Sequence, residues 1–144
     1  MSFFKFENVD KSFGEGTAKT DVLKNINLSV EEGEFLVLLG FSGTGKTTLI
    51  NLIAGLEMPT KGSVTYRGKD ITGPGPERGV IFQSYSLMPW LTVDGNVGLA
   101  VDTIFPGMPK AEKTAKVDHY VKMVGLGHAK TRRSAELSGA CANG

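Results

Sequence analysis

Residues 40–48 read Gly40-Phe41-Ser42-Gly43-Thr44-Gly45-Lys46-Thr47-Thr48, a match to the pattern G-x-x-x-x-G-K-[ST]. The flanks supply the context that the pattern needs. Ahead of it, Glu34-Phe35-Leu36-Val37-Leu38-Leu39 is short, apolar and unalternating, which predicts a strand buried on both faces. Behind it, Thr48-Leu49-Ile50-Asn51-Leu52-Ile53-Ala54 has helical spacing and stops at Gly55. Strand, glycine loop and helix together predict a phosphate-binding loop. Its glycines let successive backbone N–H groups turn inward around phosphate oxygens, at the positive end of a helix dipole. In such a loop Lys46 reaches the β- and γ-phosphates of a nucleotide, and the Thr47 hydroxyl ligates Mg2+. The bland alternative is a chance match in a chain with 19 glycines, and the patterns on both flanks argue against it.

Composition narrows the rest. A chain of 144 residues is long enough for one domain with a real core. Sixteen basic residues face 15 acidic ones, so nothing argues for nucleic acid as a partner. Cys141 is the single cysteine, which excludes a disulfide framework and suits a reducing compartment. The start, Met1-Ser2-Phe3-Phe4-Lys5-Phe6, lacks the charged-then-apolar form of a signal peptide. No apolar run approaches the roughly 20 residues of a membrane span, so a membrane role is expected to come through a partner.

Outward from the loop, residues 3 to 9 read as a strand. Val22, Ile26, Leu28 and Val30 fall on alternating positions and predict a second, half-buried strand. Ser63-Val64-Thr65-Tyr66 and Ile71 flank Arg67-Gly68-Lys69-Asp70, a hairpin turn. Gly73-Pro74-Gly75-Pro76 is a loop with no helical option. Gly79-Val80-Ile81-Phe82-Gln83 predicts another short buried strand. From Lys110 to Val124 the spacing is helical, with Ala111, Ala115, Tyr120 and Val124 as candidates for the core face. Glu112–Lys116 and Asp118–Lys122 are favourable i,i+4 pairs, and Gly125 and Gly127 end the helix.

Four landmarks in this order resemble the ATP-binding subunit of an ABC transporter. They are Phe13 in Asp10-Lys11-Ser12-Phe13-Gly14, the loop Ser42-Gly43-Thr44-Gly45-Lys46-Thr47-Thr48, Gln83 in Phe82-Gln83-Ser84, and Leu137-Ser138-Gly139. The resemblance covers residues 3 to about 139. It implies that Phe13 stacks on the adenine of ATP, where the alternative is a core phenylalanine beside a turn. It implies that Gln83, at the C-terminal end of a strand, places its amide near Mg2+ and the attacking water, where the alternative is a surface glutamine. It implies that Ser138 and Gly139 act in trans, closing over the γ-phosphate held by a second ATP-binding subunit. Alone, Ser-Gly reads as an ordinary helix N-cap. The stretch Met88-Pro89-Trp90-Leu91-Thr92-Val93, with Asn96-Val97 and Leu99-Ala100-Val101-Asp102, is similar to importers of nitrate, alkanesulfonates, taurine and bicarbonate, and most to the nitrate branch. In such proteins it receives a helix of the transmembrane permease subunit. Met88, Pro89, Trp90 and Leu91 are then an exposed docking patch, unless Trp90 and Leu91 pack into the chain's own core.

The resemblance breaks after Gly139. The family continues with a second glycine, a helix and a buried strand ending in Asp-Glu, whereas here Ala140-Cys141-Ala142-Asn143-Gly144 follows. Dropping one G from a parent reading GGC ATG CGC CAA CGG GTG A yields this tail and a stop, so a frameshift accounts for it. Deliberate truncation and an incomplete gene are the other readings. The expected domains are therefore residues 1–139, the N-terminal part of a nucleotide-binding domain, and an aberrant tail, 140–144. The expected fold is α/β: a partial P-loop NTPase core sheet, an N-terminal antiparallel β subdomain and the start of a helical subdomain. Phe35 to Leu39 is expected to have an unpaired apolar edge. The expected function is ATP and Mg2+ binding in an anion importer, at the cytoplasmic face of the cell membrane, with little turnover by this chain alone. Rivals are a nucleotide-binding fragment without turnover, a non-functional remnant, and a small P-loop kinase. For the kinase only Arg132-Arg133 offers a phosphate clamp, and Leu137-Ser138-Gly139 goes unexplained.

Overall fold

The structure is a computed structural model that describes residues 2–82, 86–134 and 136–137. The chain divides into two compact units, Met1–Val80 and Ile81–Gly144.

In the first unit, β1 (Phe4–Phe13), β2 (Thr20–Val30), β3 (Lys61–Tyr66) and β4 (Lys69–Asp70) form an antiparallel sheet in the order β2-β1-β3-β4. β1 runs four residues beyond the expected strand because bulges reset its phase. Phe6 and Val9 are both buried although three positions apart, which a period-two strand forbids. Asn8 and Asn25 absorb the extra residue in left-handed conformations, with φ of 49° and 48°. Side chains take up the displaced backbone: the Asn8 N–H donates to Asn27 Oδ1 (2.9 Å) and the Asn25 N–H to Asp10 Oδ1 (2.7 Å). The same shift explains why Leu23 is buried, a residue outside the expected alternation. The hairpin forms as read. Arg67 and Gly68 both have positive φ, 48° and 76°, as a two-residue primed turn requires.

One helix, α1 (Lys46–Ala54), lies against this sheet. Leu49 and Leu52 join Phe6, Val9, Leu23, Val64 and Ile71 in the core. Burying each of the larger side chains contributes about 1.5–3 kcal/mol. The helix ends at Gly55, with φ 75°. Its N–H bonds Leu52 C=O (3.2 Å) and that of Leu56 bonds Asn51 C=O (2.9 Å), the paired bonds of a Schellman cap.

Two expected strands do not form. Residues 34–39 have no ladder, and Phe35 and Leu39 are each 90% exposed. Ile81 and Phe82 likewise lie outside any strand and are exposed. Both segments carry the apolar runs of central parallel strands. Such strands are stable only when paired on both edges and covered on both faces, and no described residue pairs with either. The unpaired edge expected at Phe35–Leu39 thus extends to the whole segment.

The second unit holds α2 (Val93–Ile104) and α3 (Lys110–Met123) around Val93, Val101, Val117 and Val121. α2, not expected above, has a sequence signal of its own: Val93, Val97 and Val101 recur every four residues behind Thr92, whose hydroxyl accepts from Gly95 N–H (3.2 Å). α3 forms as expected but turned about its axis. Ala111, Ala115, Tyr120 and Val124 are exposed, and Val117 and Val121 face the core. Gly98 of α2 faces Val117, and a bare glycine there favours close approach of that valine over the bulkier Tyr120. The ion pairs follow this rotation. Asp118 bonds Lys130 (2.9 Å) rather than Lys122, and the Lys116 ammonium lies 4.6 Å over the Phe105 ring. The hydrogen bond from Lys130, and then its charge, holds the Asp118 carboxyl below the usual range, and the same contact raises Lys130. A lowered carboxyl stabilises the fold above its unfolded value of about 3.9 and a raised ammonium below about 10.4, so the pair acts between these limits.

Candidate functional site

The loop from Gly40 to Thr48 closes on itself through the Phe41 carbonyl. That oxygen accepts from the Thr44 hydroxyl (2.8 Å), the Thr44 N–H (3.4 Å) and the Lys46 ammonium (2.6 Å). Lys46 Nζ also donates to the Gly40 carbonyl (2.7 Å) and reaches Thr44 Oγ1 (3.4 Å), so the cation is held in the bend of the loop. Gly45 is the N-cap of α1 at φ 86°, and a β-carbon there would stand 2.8 Å from Leu23 Cδ2. Only glycine lets the loop turn left-handed while resting on β2.

The first bond of α1 runs from Leu49 N–H to Gly45 C=O (2.9 Å), leaving the N–H groups of Lys46, Thr47 and Thr48 without a helical partner. No side chain caps them. Gly43, at φ 81°, has open space where a side chain would stand. Free donors, a helix N-terminus and a held ammonium around an open glycine fit a polyphosphate chain. Thr47 and Ser42 are exposed beside them, with Thr47 in the first turn where a hydroxyl could ligate Mg2+. Bound ATP would supply the phosphoryl group and Mg2+ would neutralise its charge.

Phe13 closes β1, opposite Thr20, and is 40% exposed. Thr20 is two to three residues from Val22 and Leu23, the side chains against which Gly45 rests. That separation is roughly 7–10 Å along a strand, so ring and phosphate loop share one end of the sheet. Sequence reasoning missed Lys11, whose ammonium lies 4.7 Å from the Phe13 ring centroid. Its position two residues before Phe13 on one strand face was the available signal.

Gln83, Ser138 and Gly139 lie outside the described residues. The stretch expected to dock, residues 84–93, is described from Ser86 onward. Trp90 is 68% exposed, so it is no part of a core, and Leu87 and Pro89 are exposed too. Met88 and Leu91 are partly buried in the turn that presents them. Asn96, not foreseen as its anchor, accepts from Met88 N–H (2.8 Å) and donates to the carbonyls of Met88 (3.1 Å) and Thr92 (3.1 Å). A cavity of about 510 Å3 lies elsewhere in the first unit, lined by Tyr66, Ile71 and Arg78 among others. Its guanidinium is already engaged by Glu77 and the Gly73 carbonyl, so its charge is spent within the fold. Among the described residues no helix is long and apolar enough to cross a membrane.

A family model described as ABC transporter matches residues 23–142, a span that includes the loop, the Met88–Leu91 turn and both helices of the second unit. The chain belongs to the ABC transporter family. The bicarbonate transport ATP-binding protein CmpC of Synechococcus elongatus is 51% identical over 138 residues, 95% of this chain and 21% of CmpC. The nitrate import ATP-binding protein NrtC of Synechocystis is 47% identical over 140 residues, 96% of this chain and 21% of NrtC. The nitrate transport protein NasD of Klebsiella oxytoca is 43% identical over 134 residues, 92% of this chain and 51% of NasD. The chain thus spans between a fifth and half the length of these ABC relatives. The dimeric ATP-binding cassette MJ0796, solved in a post-hydrolysis state with ADP and Pi, superposes with a TM-score of 0.79 at 30% identity. That match covers 92% of this chain and 62% of the cassette, which establishes the ABC cassette fold as the α/β class read from the sequence.

Proposed function

We propose that the chain is the nucleotide-binding part of an ABC importer for a small oxyanion of the nitrate and bicarbonate class. The observation that carries the proposal is the loop at Gly40–Thr48: free N–H groups at the start of α1 beside an ammonium held by two carbonyls. ATP with Mg2+ is the ligand. Phosphates lie on the loop, Mg2+ on Thr47, and the base on Phe13. Gln83 positions Mg2+ and water, and Ser138 and Gly139 reach the ATP of a second such subunit. The relatives' names support the anion class: bicarbonate for CmpC, nitrate for NrtC. Both ions are planar and trigonal, and nothing in the nucleotide site distinguishes them. The chain works at the inner face of the membrane, bound to a permease through the Met88–Leu91 turn.

Two experiments test this reading. Phe13→Ala should lower ATP affinity by about 1–3 kcal/mol through lost stacking, with inorganic triphosphate unaffected. Equal losses for both ligands, measured by calorimetry, would make Phe13 structural. Trp90→Ala should keep ATP affinity and lose co-purification with co-expressed permease subunits of a nitrate or bicarbonate importer. Undiminished co-purification would move the docking surface away from this turn.

A further inference from the structure

Lys11 has three partners that tie the base platform to the helix of the phosphate loop. Its ammonium bonds the Glu57 carboxylate (2.7 Å) and the Met58 carbonyl (2.9 Å), both just beyond the C-terminal cap of α1. The same nitrogen stands 4.7 Å from the centroid of the Phe13 ring. Its side chain is only 12% exposed, so the charge is partly desolvated and held in place rather than sampling solvent. Neighbouring bonds lock the surroundings. The Ser12 N–H donates to Thr60 Oγ1 (3.0 Å), the Thr60 N–H to the Asp10 carbonyl (2.8 Å), and the Ser12 hydroxyl to Asp21 (2.7 Å). The strand end that carries Phe13 is thereby clasped to residues 57–60.

We propose that Lys11 is a positioning residue for nucleotide binding: it fixes the Phe13 ring from one face and leaves the ring to stack a purine with its exposed part. The proposal rests on the reading that Phe13 contacts the base. Two physical effects act together. A cation over an aromatic face is attracted by the ring quadrupole, which holds the ring at a fixed orientation. The same cation draws ring electron density toward itself, so an electron-rich base meets a less repulsive surface on the other side. A platform fixed before the ligand arrives loses less freedom on binding. Glu57 completes the arrangement by fixing the ammonium, and it connects the platform to the far end of the helix whose first turn faces the phosphates.

The test compares ATP–Mg2+ with inorganic triphosphate–Mg2+ on the 144-residue chain. Lys11→Met combined with Glu57→Gln removes the cation without stranding the carboxylate. It should weaken ATP by roughly two- to fivefold and leave triphosphate unchanged. Lys11→Arg, which keeps a cation, should restore the ATP affinity, and the Met/Gln change should have no further effect on ATP in a Phe13→Ala background. In the unsubstituted chain, the Lys11 side-chain NMR resonances should shift with ATP and stay in place with triphosphate. Equal weakening of both ligands, or Lys11 resonances indifferent to ATP, would overturn the proposal. If Phe13→Ala selects against ATP while the Lys11 variant does not, only the Lys11 role falls. If neither variant separates the two ligands, the base contact of Phe13 falls as well.

Discussion

Lys46→Ala should reduce ATP–Mg2+ affinity by at least about tenfold, because charge-assisted hydrogen bonds contribute roughly 1.5–3 kcal/mol each. The substitution acts twice. It removes the side-chain cation that sits in the loop bend, and it takes away the donor that holds the Gly40 and Phe41 carbonyls at 2.7 and 2.6 Å. Those carbonyls would then be free to turn toward the incoming phosphates, where an oxygen repels an oxygen. Lys46→Met, which keeps the length of the stem and loses the charge, should behave as Lys46→Ala does. Thermal unfolding should change little in either variant, since the ammonium bonds an exposed loop rather than the core. Isothermal calorimetry on both variants checks the expectation. Unchanged affinity would mean that the loop is not the phosphate site.

Gly55→Ala should be among the most destabilising single-methyl changes in the first unit. The residue ends α1 at φ 75°, where a non-glycine residue costs about 1–2 kcal/mol. The added β-carbon would also stand 2.1 Å from the Gly73 carbonyl oxygen and 2.4 Å from its carbon, both backbone atoms of the loop before Pro74. Neither can move without displacing the cap or the loop, so the total should reach about 3 kcal/mol or more. Gly43→Ala is the control. It too has a positive φ, 81°, but open space around the new methyl, so only the conformational cost remains. Urea unfolding of the two variants should separate them clearly. Similar midpoints would show that the contact between the α1 cap and the Gly73–Pro74 loop relaxes freely.

What could be read from the sequence follows the range of the interactions. The hairpin at Arg67-Gly68, the helix behind the P-loop and its glycine stop are all local, and each forms where its residues placed it. The bulges at Asn8 and Asn25 are local in geometry but were hidden, since neither asparagine announces a left-handed residue without its cross-strand partner. Phe35–Leu39 and Val80–Phe82 read as buried strands because their composition was set for neighbours on both sides. Their state depends on distant pairing that periodicity cannot supply. α3 was visible and its face was not. Alanines and a tyrosine at helical spacing matched a core pattern as well as Val117 and Val121 did, and the packing against Gly98 decided between them.

The site divides in the same way. The loop proposed to hold the phosphates lies within nine consecutive residues, so its motif and the helix behind it were legible in the sequence. Phe13 needed the resemblance, since a lone aromatic at a strand end has many uses. Lys11 had a signal in its i,i+2 spacing to Phe13, but its bonds to Glu57 and Met58 and the anchoring bonds of Asn96 emerged only from the folded chain.

Amide chemical shifts of the 144-residue chain, followed as ATP–Mg2+ is added, show whether the Gly40–Thr48 loop holds the nucleotide. The largest changes should fall on Gly43 to Thr48 and around Phe13, with residues of the second unit such as Lys110, Lys113 and Asp102 unmoved. Saturable shifts centred on those second-unit residues, with the P-loop amides unchanged, would contradict it.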